Sequence, residues 1–171
     1  MSLDTFNELA SIGTIVIQLI TVALIVFLFL SEKENQLRKW IQTYSLTFGF
    51  LAILGAILGS LIYSNVIGYS PCDFCWWQRI CMYPQLIIFA IAAWKKDHAV
   101  WLYSRILSII GALLGLYQYY GEMWNTSALP CSATGVSCSK IYFIEFGYIT
   151  IPVMAFSVFI FLIVLSFYKK D

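Results

Sequence analysis

Hydrophobic residues form five long runs along the chain, and polar segments separate them. The runs cover about Ser11–Leu30, Tyr44–Ile67, Trp76–Trp94, Ala99–Tyr120 and Tyr148–Tyr168. Each run predicts a membrane-spanning helix, because an apolar stretch of about 18 or more residues is long enough to cross a bilayer. We therefore expect an all-α integral membrane protein in which neighbouring helices, where a short connection joins them, run antiparallel.

The composition agrees with a chain that lies almost entirely in lipid. Hydrophobic residues make up 61% of it and charged residues 11%, whereas about a quarter of the residues in a soluble domain are charged. No segment remains for a separate soluble catalytic domain, so any chemistry has to lie in the helices or their loops. The net charge of +1 and the lack of a basic run argue against nucleic-acid binding.

The basic residues are distributed unevenly over the two ends of the predicted helices. Eight of the ten fall at one end: Lys33, Arg38, Lys39, Lys95, Lys96, Arg105, Lys169 and Lys170. Only Arg79 and Lys140 fall at the other. Because positively charged connections face the cytoplasm, we expect the N-terminus outside and the C-terminus in the cytoplasm. The N-terminus is acidic and no cleavage site follows the first run, which predicts a retained helix rather than a signal peptide.

Two pairs of small residues lie within the predicted helices at a spacing of four. One is Gly55-x-x-x-Gly59 in the second helix and the other is Gly111-x-x-x-Gly115 in the fourth. Because small residues at this spacing allow two helices to approach closely, both pairs predict helix packing rather than ligand contact.

Two pairs of cysteines lie in exterior polar segments, where disulfides persist. They are Cys72-Asp73-Phe74-Cys75 and Cys131–Cys138. Haem attachment needs a histidine after the second cysteine, and Trp76 stands there instead. A zinc site is disfavoured, because the second pair is too widely spaced for a typical four-cysteine site. Redox chemistry and structural disulfides both remain possible at this point.

The residues after Cys75 favour a redox role for the first pair. Trp76 begins an apolar run, so Cys75 lies near the N-terminus of a helix, where backbone N–H groups stabilise an anion. Arg79 lies one turn later on the same face. Both effects lower the pKa of a thiol and favour the reactive thiolate. The lone Cys81, by contrast, is typical of a small core residue.

These motifs resemble the disulfide bond formation protein B (DsbB) family, especially its BdbC-like branch. The resemblance covers about Tyr44 to the C-terminus. The matching residues are Cys72-x-x-Cys75-Trp76-x-Gln78-Arg79, Met82-Tyr83-Pro84, Pro130-Cys131, Gly135-Val136-Ser137-Cys138-Ser139 and Phe146-Gly147-Tyr148-Ile149-Thr150-Ile151-Pro152. It implies a four-helix antiparallel transmembrane bundle at residues 44–171. Residues 1–43 would then form one additional N-terminal transmembrane helix, of no assigned role, and a cytoplasmic loop.

The resemblance also implies an activity, a membrane thiol:quinone oxidoreductase of the bacterial cytoplasmic membrane. Its partner would be an exported thioredoxin-fold thiol oxidase, DsbA-like or BdbD-like. Cys131–Cys138 would exchange disulfides with that partner, with Cys131 forming the mixed disulfide. Cys72–Cys75 would reoxidise the second pair and pass the electrons to ubiquinone or menaquinone, so that disulfide bonds can form in exported proteins.

The quinone would lie beside a small set of residues that follow the first pair. The resemblance implies Cys75 facing the quinone next to Arg79, and we expect Gln78 and Trp76 to be further quinone-binding residues. Trp77 and Tyr83 are additional aromatic residues that could line the same pocket.

Two alternatives remain. A vitamin K epoxide reductase-like enzyme also couples thiols to a quinone, but its catalytic Cys-x-x-Cys follows its loop pair, and the order here is reversed. A non-enzymatic membrane scaffold with structural disulfides would explain the four cysteines. It would not explain why Arg79 follows Cys75 by one helical turn.

Overall fold

The computed structural model describes residues 3–30, 35–124, 129 and 137–168, and it forms five α-helices there. They are α1 (Leu3–Leu30), α2 (Gln36–Leu61), α3 (Asp73–Lys95), α4 (Val100–Met123) and α5 (Ile151–Leu165). A π-helical turn at Ile62–Val66 extends α2, and a 3-10 turn at Ser166–Tyr168 extends α5. The predicted all-α fold is confirmed.

Four of the five helices are long and apolar enough to cross a membrane by themselves: α1, α2 with its π turn, α4, and α5 with its 3-10 turn. The remaining helix, α3, is long enough at 23 residues but carries Gln78, Arg79 and Gln85. All three side chains are buried against the other helices. The polarity of α3 therefore lies inside the bundle, where protein groups rather than lipid surround it.

The last helix begins later than its apolar run predicts. The run starts at Tyr148, but α5 begins at Ile151. Before it, Glu145 and Ile149 exchange two backbone hydrogen bonds, of 3.0 and 2.9 Å. Gly147, inside this turn, has φ +80°, which glycine adopts without steric cost. The turn follows the aromatic residues Tyr142 and Phe143 and directs the chain into α5.

The helices alternate in direction, and α5 lies at the centre of their contacts. It packs on α4, α1 and α2, while α3 packs between α2 and α4. Near one end, which we call the basic end, the Arg38 guanidinium lies over the Tyr168 ring and Arg105 donates to Ser166. At the opposite end, which we call the cysteine end, lie Cys72, Cys75 and Cys138.

Hydrogen bonds between side chains join the helices at two levels. The Gln85 Oε1 atom of α3 accepts from Ser104 of α4 at 2.7 Å and from Ser108 at 3.2 Å. The Gln18 Nε2 atom of α1 donates to Ser157 of α5 at 2.8 Å. Such bonds stabilise helix pairs in membranes, because lipid offers no competing partner. They fix α3 on α4 and α1 on α5.

The two small-residue pairs differ in what they contact. A Cβ atom added to Gly111 would lie 2.3 Å from the Phe159 ring, and one added to Gly115 would lie 3.4 Å from the Pro152 carbonyl. The prediction of close helix packing is therefore confirmed for α4 against α5. It is wrong for α2, because a Cβ atom added to Gly55 or Gly59 meets nothing within 4 Å. Those two glycines border open space instead.

We expect Gly111→Ala to lower the free energy of unfolding. The buried Phe159 ring cannot move aside, and overpacking of this kind costs about 1–3 kcal/mol. The gain in helix propensity from glycine to alanine, about 1 kcal/mol, is smaller. The measurement is denaturant or thermal unfolding in detergent micelles. Gly55→Ala is the matched control and should not destabilise the protein. Equal stability of the two variants would contradict the packing described for Gly111.

Candidate functional site

The first cysteine pair lies where α3 begins. Pro71 precedes Cys72, which has extended backbone angles (φ −78°, ψ 173°) and caps the helix, its sulfur accepting from the Cys75 N–H at 3.4 Å. The Cys72 and Cys75 sulfurs lie 2.9 Å apart as two thiol groups. This is close enough for either sulfur to share the proton of the other.

The two thiols have different surroundings. Cys72 is buried, and Cys75 is half-buried. The hydrogen bond with the Cys75 sulfur, together with burial, raises the pKa of the Cys72 thiol. Cys72 therefore keeps its proton and can donate it to Cys75, so that any negative charge on the pair is held by the Cys75 sulfur. This agrees with the prediction that Cys75 is the more reactive thiol.

Arg79 is buried one turn after Cys75, with an exposed fraction of 6%. Its guanidinium donates to both oxygens of Ser60 in α2, from Nε to the hydroxyl and from Nη2 to the carbonyl, each at 2.9 Å. The guanidinium also lies 5.2 Å from the centre of the Trp76 ring. Ser60 and Trp76 thus hold the arginine in place, and the charge remains because guanidinium does not lose its proton in proteins.

Cys75, Gln78 and Arg79 line one cavity of about 260 Å³ between α3 and the neighbouring helices. The other walls come from α1, α2 and α5, and they are mostly apolar. This arrangement is consistent with the predicted position of Cys75, Gln78 and Arg79 around one ligand. A cavity with apolar walls and a few polar groups at one end is the usual form of a small-molecule site.

The aromatic residues that the sequence suggested for this cavity lie elsewhere. Trp76, predicted as quinone-binding, is 50% exposed and does not line the cavity, and neither do Trp77 and Tyr83. The Trp76 ring lies against the Arg79 guanidinium instead. Successive helix positions are about 100° apart, which turns Trp76 and Trp77 away from the face that Cys75 and Arg79 share.

The second cysteine pair is described only in part, because Cys131 lies outside the described residues. Cys138 is buried, with an exposed fraction of 1%. It belongs to a small apolar cluster with Cys72 and Leu129, against which Phe74 and Cys75 pack. The loop between α4 and α5 therefore brings Cys138 against the first pair. Cys81, in contrast, is buried in the main core, as predicted.

Two polar residues of α4 that the sequence interpretation passed over lie at the first pair: Gln118 contacts both sulfurs, and Glu122 contacts Gln118. Gln118 Nε2 lies 3.5 Å from the Cys72 sulfur and 3.8 Å from the Cys75 sulfur. The same side chain accepts from Gln78 at 2.8 Å and donates to Glu122 at 3.2 Å. All three polar side chains are buried. Their signal in the sequence was one polar residue inside the fourth apolar run, Gln118, with Glu122 one helical turn later, just after the run; a polar residue inside such a run marks a candidate site.

The loop before α5 covers the cysteine end next to α2. The Tyr142 ring stacks on Tyr69, with 4.3 Å between ring centres, and its hydroxyl donates to the Ser70 carbonyl at 2.8 Å. Phe143 stacks on Tyr63.

Within residues 3–30, 35–124, 129 and 137–168, no group of three or more His, Cys, Asp or Glu side chains is placed to hold a metal ion.

Comparison with known proteins finds disulfide formation proteins both among the family models and among the relatives. The family model described as disulfide bond formation protein DsbB matches residues 42–169. A probable disulfide formation protein C 2 of Bacillus cereus is 33% identical over 133 residues, which is 78% of this chain and 96% of that protein. A probable disulfide formation protein of Coxiella burnetii is 38% identical over 138 residues, 78% of this chain and 94% of that protein.

A third relative, a probable disulfide formation protein of Oceanobacillus iheyensis, is 42% identical over 113 residues, 64% of this chain and 77% of that protein. No solved structure matches the chain. The family match covers α3, α4, α5 and most of α2 and includes all four cysteines of the two pairs, while α1 precedes it. The chain is a multi-pass membrane protein that belongs to the DsbB family of disulfide bond formation proteins.

Proposed function

We propose that this protein is a thiol:quinone oxidoreductase that reoxidises an exported thioredoxin-fold thiol oxidase and so supports disulfide bond formation. The observation that carries the proposal is the position of the first cysteine pair. Cys72 packs against Cys138 of the exterior loop, while Cys75 borders the cavity that also holds Arg79. One dithiol thus contacts a second cysteine on one side and a small-molecule cavity on the other.

The first half of the reaction is disulfide exchange with the partner. A partner thiolate attacks Cys131 of the oxidised Cys131–Cys138 pair, and Cys138 leaves as a thiolate. The second partner thiol then attacks the mixed disulfide, which releases Cys131 and leaves the partner oxidised. Two electrons and two protons have moved from the partner to this pair, and no other oxidant is consumed.

The second half transfers the electrons to the first pair. Cys138, which packs beside Cys72, attacks the oxidised Cys72–Cys75 disulfide at Cys72, and Cys75 leaves as a thiolate. Cys131 then displaces Cys72, so that the loop pair is a disulfide again and Cys72–Cys75 is a dithiol. Gln118 donates towards both sulfurs of that pair and so holds them together in the reduced state.

The cavity beside Cys75 fits a quinone head group. A quinone ring is flat and apolar and carries two carbonyl oxygens that accept hydrogen bonds, and the cavity joins apolar walls to a fixed guanidinium. Ubiquinone or menaquinone, when bound there, would take up two electrons and two protons and thereby reoxidise the dithiol. Arg79 stabilises negative charge near Cys75, because a cation in a poorly hydrated site acts with little screening. Gln78 offers a further polar group at the same end.

The orientation proposed for the membrane places the cysteine end outside. Lys95 and Lys96 are exposed at the basic end, and positive residues favour the cytoplasmic side. The partner would then meet the loop that carries Cys138 on the exterior face.

We expect Cys75→Ser to reduce quinone reduction to the uncatalysed background, because the variant cannot complete the dithiol that passes on the electrons. The assay supplies purified protein with a reduced thioredoxin-like partner and a soluble quinone and follows quinone absorbance. Cys81→Ser is the matched control and should retain turnover, since Cys81 lies in the core away from the pair. Turnover that survives Cys75→Ser would contradict the route, and no turnover in the wild type would favour the scaffold.

We expect Cys138→Ser to form a stable mixed disulfide between Cys131 and a partner variant that keeps only its attacking cysteine and is supplied as the thionitrobenzoate disulfide. The Cys131 thiolate displaces thionitrobenzoate from that cysteine, and neither Cys138 nor a second partner thiol is present to resolve the new bond. Non-reducing electrophoresis followed by peptide mass mapping identifies the linked cysteine, and Cys81→Ser again serves as the unlinked control. Linkage of the partner to Cys72 instead would reverse the order of the two pairs.

We expect Lys140 to react with a membrane-impermeant amine reagent in intact cells. Lys95 and Lys96 should react only after the membrane is permeabilised. All three side chains are exposed in the structure, so differences in labelling report the side of the membrane rather than burial. Labelling of Lys95 and Lys96 from outside would invert the proposed orientation.

A further inference from the structure

The N-terminal helix α1 lies outside the part of the chain that the family model matches, residues 42–169. It nonetheless forms one wall of the cavity beside Cys75, to which it contributes Ala10, Gly13, Thr14 and Ile17. Gly13 and Thr14 each lie three or four residues from both Ala10 and Ile17, so the four residues share one face of the helix. The cavity is therefore bordered by an element that is additional to the four helices of the family.

A stripe of small and polar residues runs along one side of α1, and Gln18 within it bonds to α5. Its members recur every three or four residues along one side of the helix: Asn7, Ser11, Thr14, Gln18 and Thr21. Gln18 donates to Ser157 of α5 and accepts from the Tyr148 hydroxyl, at 2.8 and 2.7 Å. Near the basic end, the Tyr168 hydroxyl donates to the Leu24 carbonyl. Contacts at both levels fix the rotation of α1, and with it the face that borders the cavity.

Glycines on two helices leave the cavity open between α1 and α2. A Cβ atom added to Gly13, Gly55 or Gly59 meets nothing within 4 Å, and all three residues line the cavity. Glycine lowers helix stability by about 1 kcal/mol relative to alanine, and here no backbone contact compensates for that cost. The missing side chains serve to keep volume free rather than to bring helices together.

A buried hydroxyl group without a partner borders the same volume. Tyr63 lines the cavity with an exposed fraction of 5%, and its hydroxyl has no hydrogen-bond partner within the part of the chain that the structure describes. The Phe6 ring of α1 packs edge-on against Tyr63 at 5.1 Å. Because a buried hydroxyl without a partner is costly, this group is suited to bind a ligand that supplies an acceptor.

We propose that α1 is a structural wall of the quinone-binding cavity, that the glycine-lined space between α1 and α2 receives the quinone, and that the Tyr63 hydroxyl donates to one of its carbonyl oxygens. This inference rests on the proposed function, because it names the site for the same quinone. It adds to that function a binding role for α1 and for Tyr63. Leu51 and Ala52 of α2, which also line the cavity, would contact the apolar part of the ligand.

The test fills the cavity with added side chains from two helices. Gly13→Leu adds a leucine side chain on α1, and Gly55→Leu adds one on α2. Both variants should raise the KM for a short-chain ubiquinone or menaquinone. We expect a rise of about tenfold or more, because a misfit of one methylene in an apolar pocket changes recognition by about 10–200-fold. Both should also lower the amount of quinone that the purified full-length protein retains, measured by extraction and chromatography. Ile12→Phe is the control, because it adds bulk on the exposed face of α1.

Disulfide exchange separates this inference from the proposed function. Exchange between the reduced partner and the oxidised protein, followed by alkylation and gel shift without quinone, should proceed at the wild-type rate in both glycine variants. Wild-type retention and KM in Gly13→Leu would overturn the role of α1 while leaving the thiol:quinone activity in place. A wild type that neither retains nor reduces quinone would instead overturn the proposed function, and the inference with it.

Tyr63→Phe provides an independent variant that removes one oxygen atom and no packing volume. The hydroxyl has no partner in the described residues, so the variant should unfold at the wild-type temperature or above it. Quinone retention should fall and the KM for quinone should rise. A Tyr63→Phe protein with unchanged quinone retention would show that the hydroxyl does not bind the ligand, and a loss of stability would show that it is structural.

Discussion

A guanidinium group inside a bundle of apolar helices has to donate its protons to acceptors of the protein, because lipid offers none. Within the residues that the structure describes, Arg79 donates to two oxygens of Ser60, its hydroxyl and its carbonyl oxygen. That contact ties the Arg79 side chain of α3 to α2 and holds it at the cavity that Cys75 also borders. Three other features fit a guanidinium fixed at this position. They are the gap between α1 and α2, the polar side chains of α3, and the location of Cys75 beside the cavity.

The first cysteine pair lies between two environments that suit different reactions. Towards the loop, Cys72 packs with Cys138 in an apolar cluster, where one sulfur can attack another. Towards the helices, Cys75 borders a cavity with a fixed positive charge. Gln118 contacts the sulfurs of both Cys72 and Cys75. One side chain of α4 thus reaches the thiol on the loop side and the thiol on the cavity side. A relay between a protein partner and a small molecule is the function we propose, because it uses both sides of the pair.

Several features could be predicted from the sequence, because they depend on local chemistry. The spacing of Cys75 and Arg79 by one helical turn placed both on one face, and both line one cavity. Other features could not be predicted. Gly55-x-x-x-Gly59 and Gly111-x-x-x-Gly115 have the same spacing, yet only the second pair packs against a neighbour, the buried ring of Phe159 and the backbone at Pro152. The spacing of two glycines shows only that another helix can approach closely. Whether one does depends on which helix lies beside them in the fold.

By itself, the sequence determined the helical class of the protein, the end of the bundle at which the cysteines lie, and the residues that match the family. These follow from the lengths of apolar runs, the distribution of charge and the order of short motifs. Only the tertiary structure decided that α1 borders the cavity, that Trp76 lies outside it and that Gln118 contacts the cysteine sulfurs. Those facts depend on how each helix is rotated about its axis, and that rotation is set by contacts between residues far apart in the chain, such as Gln18 with Ser157.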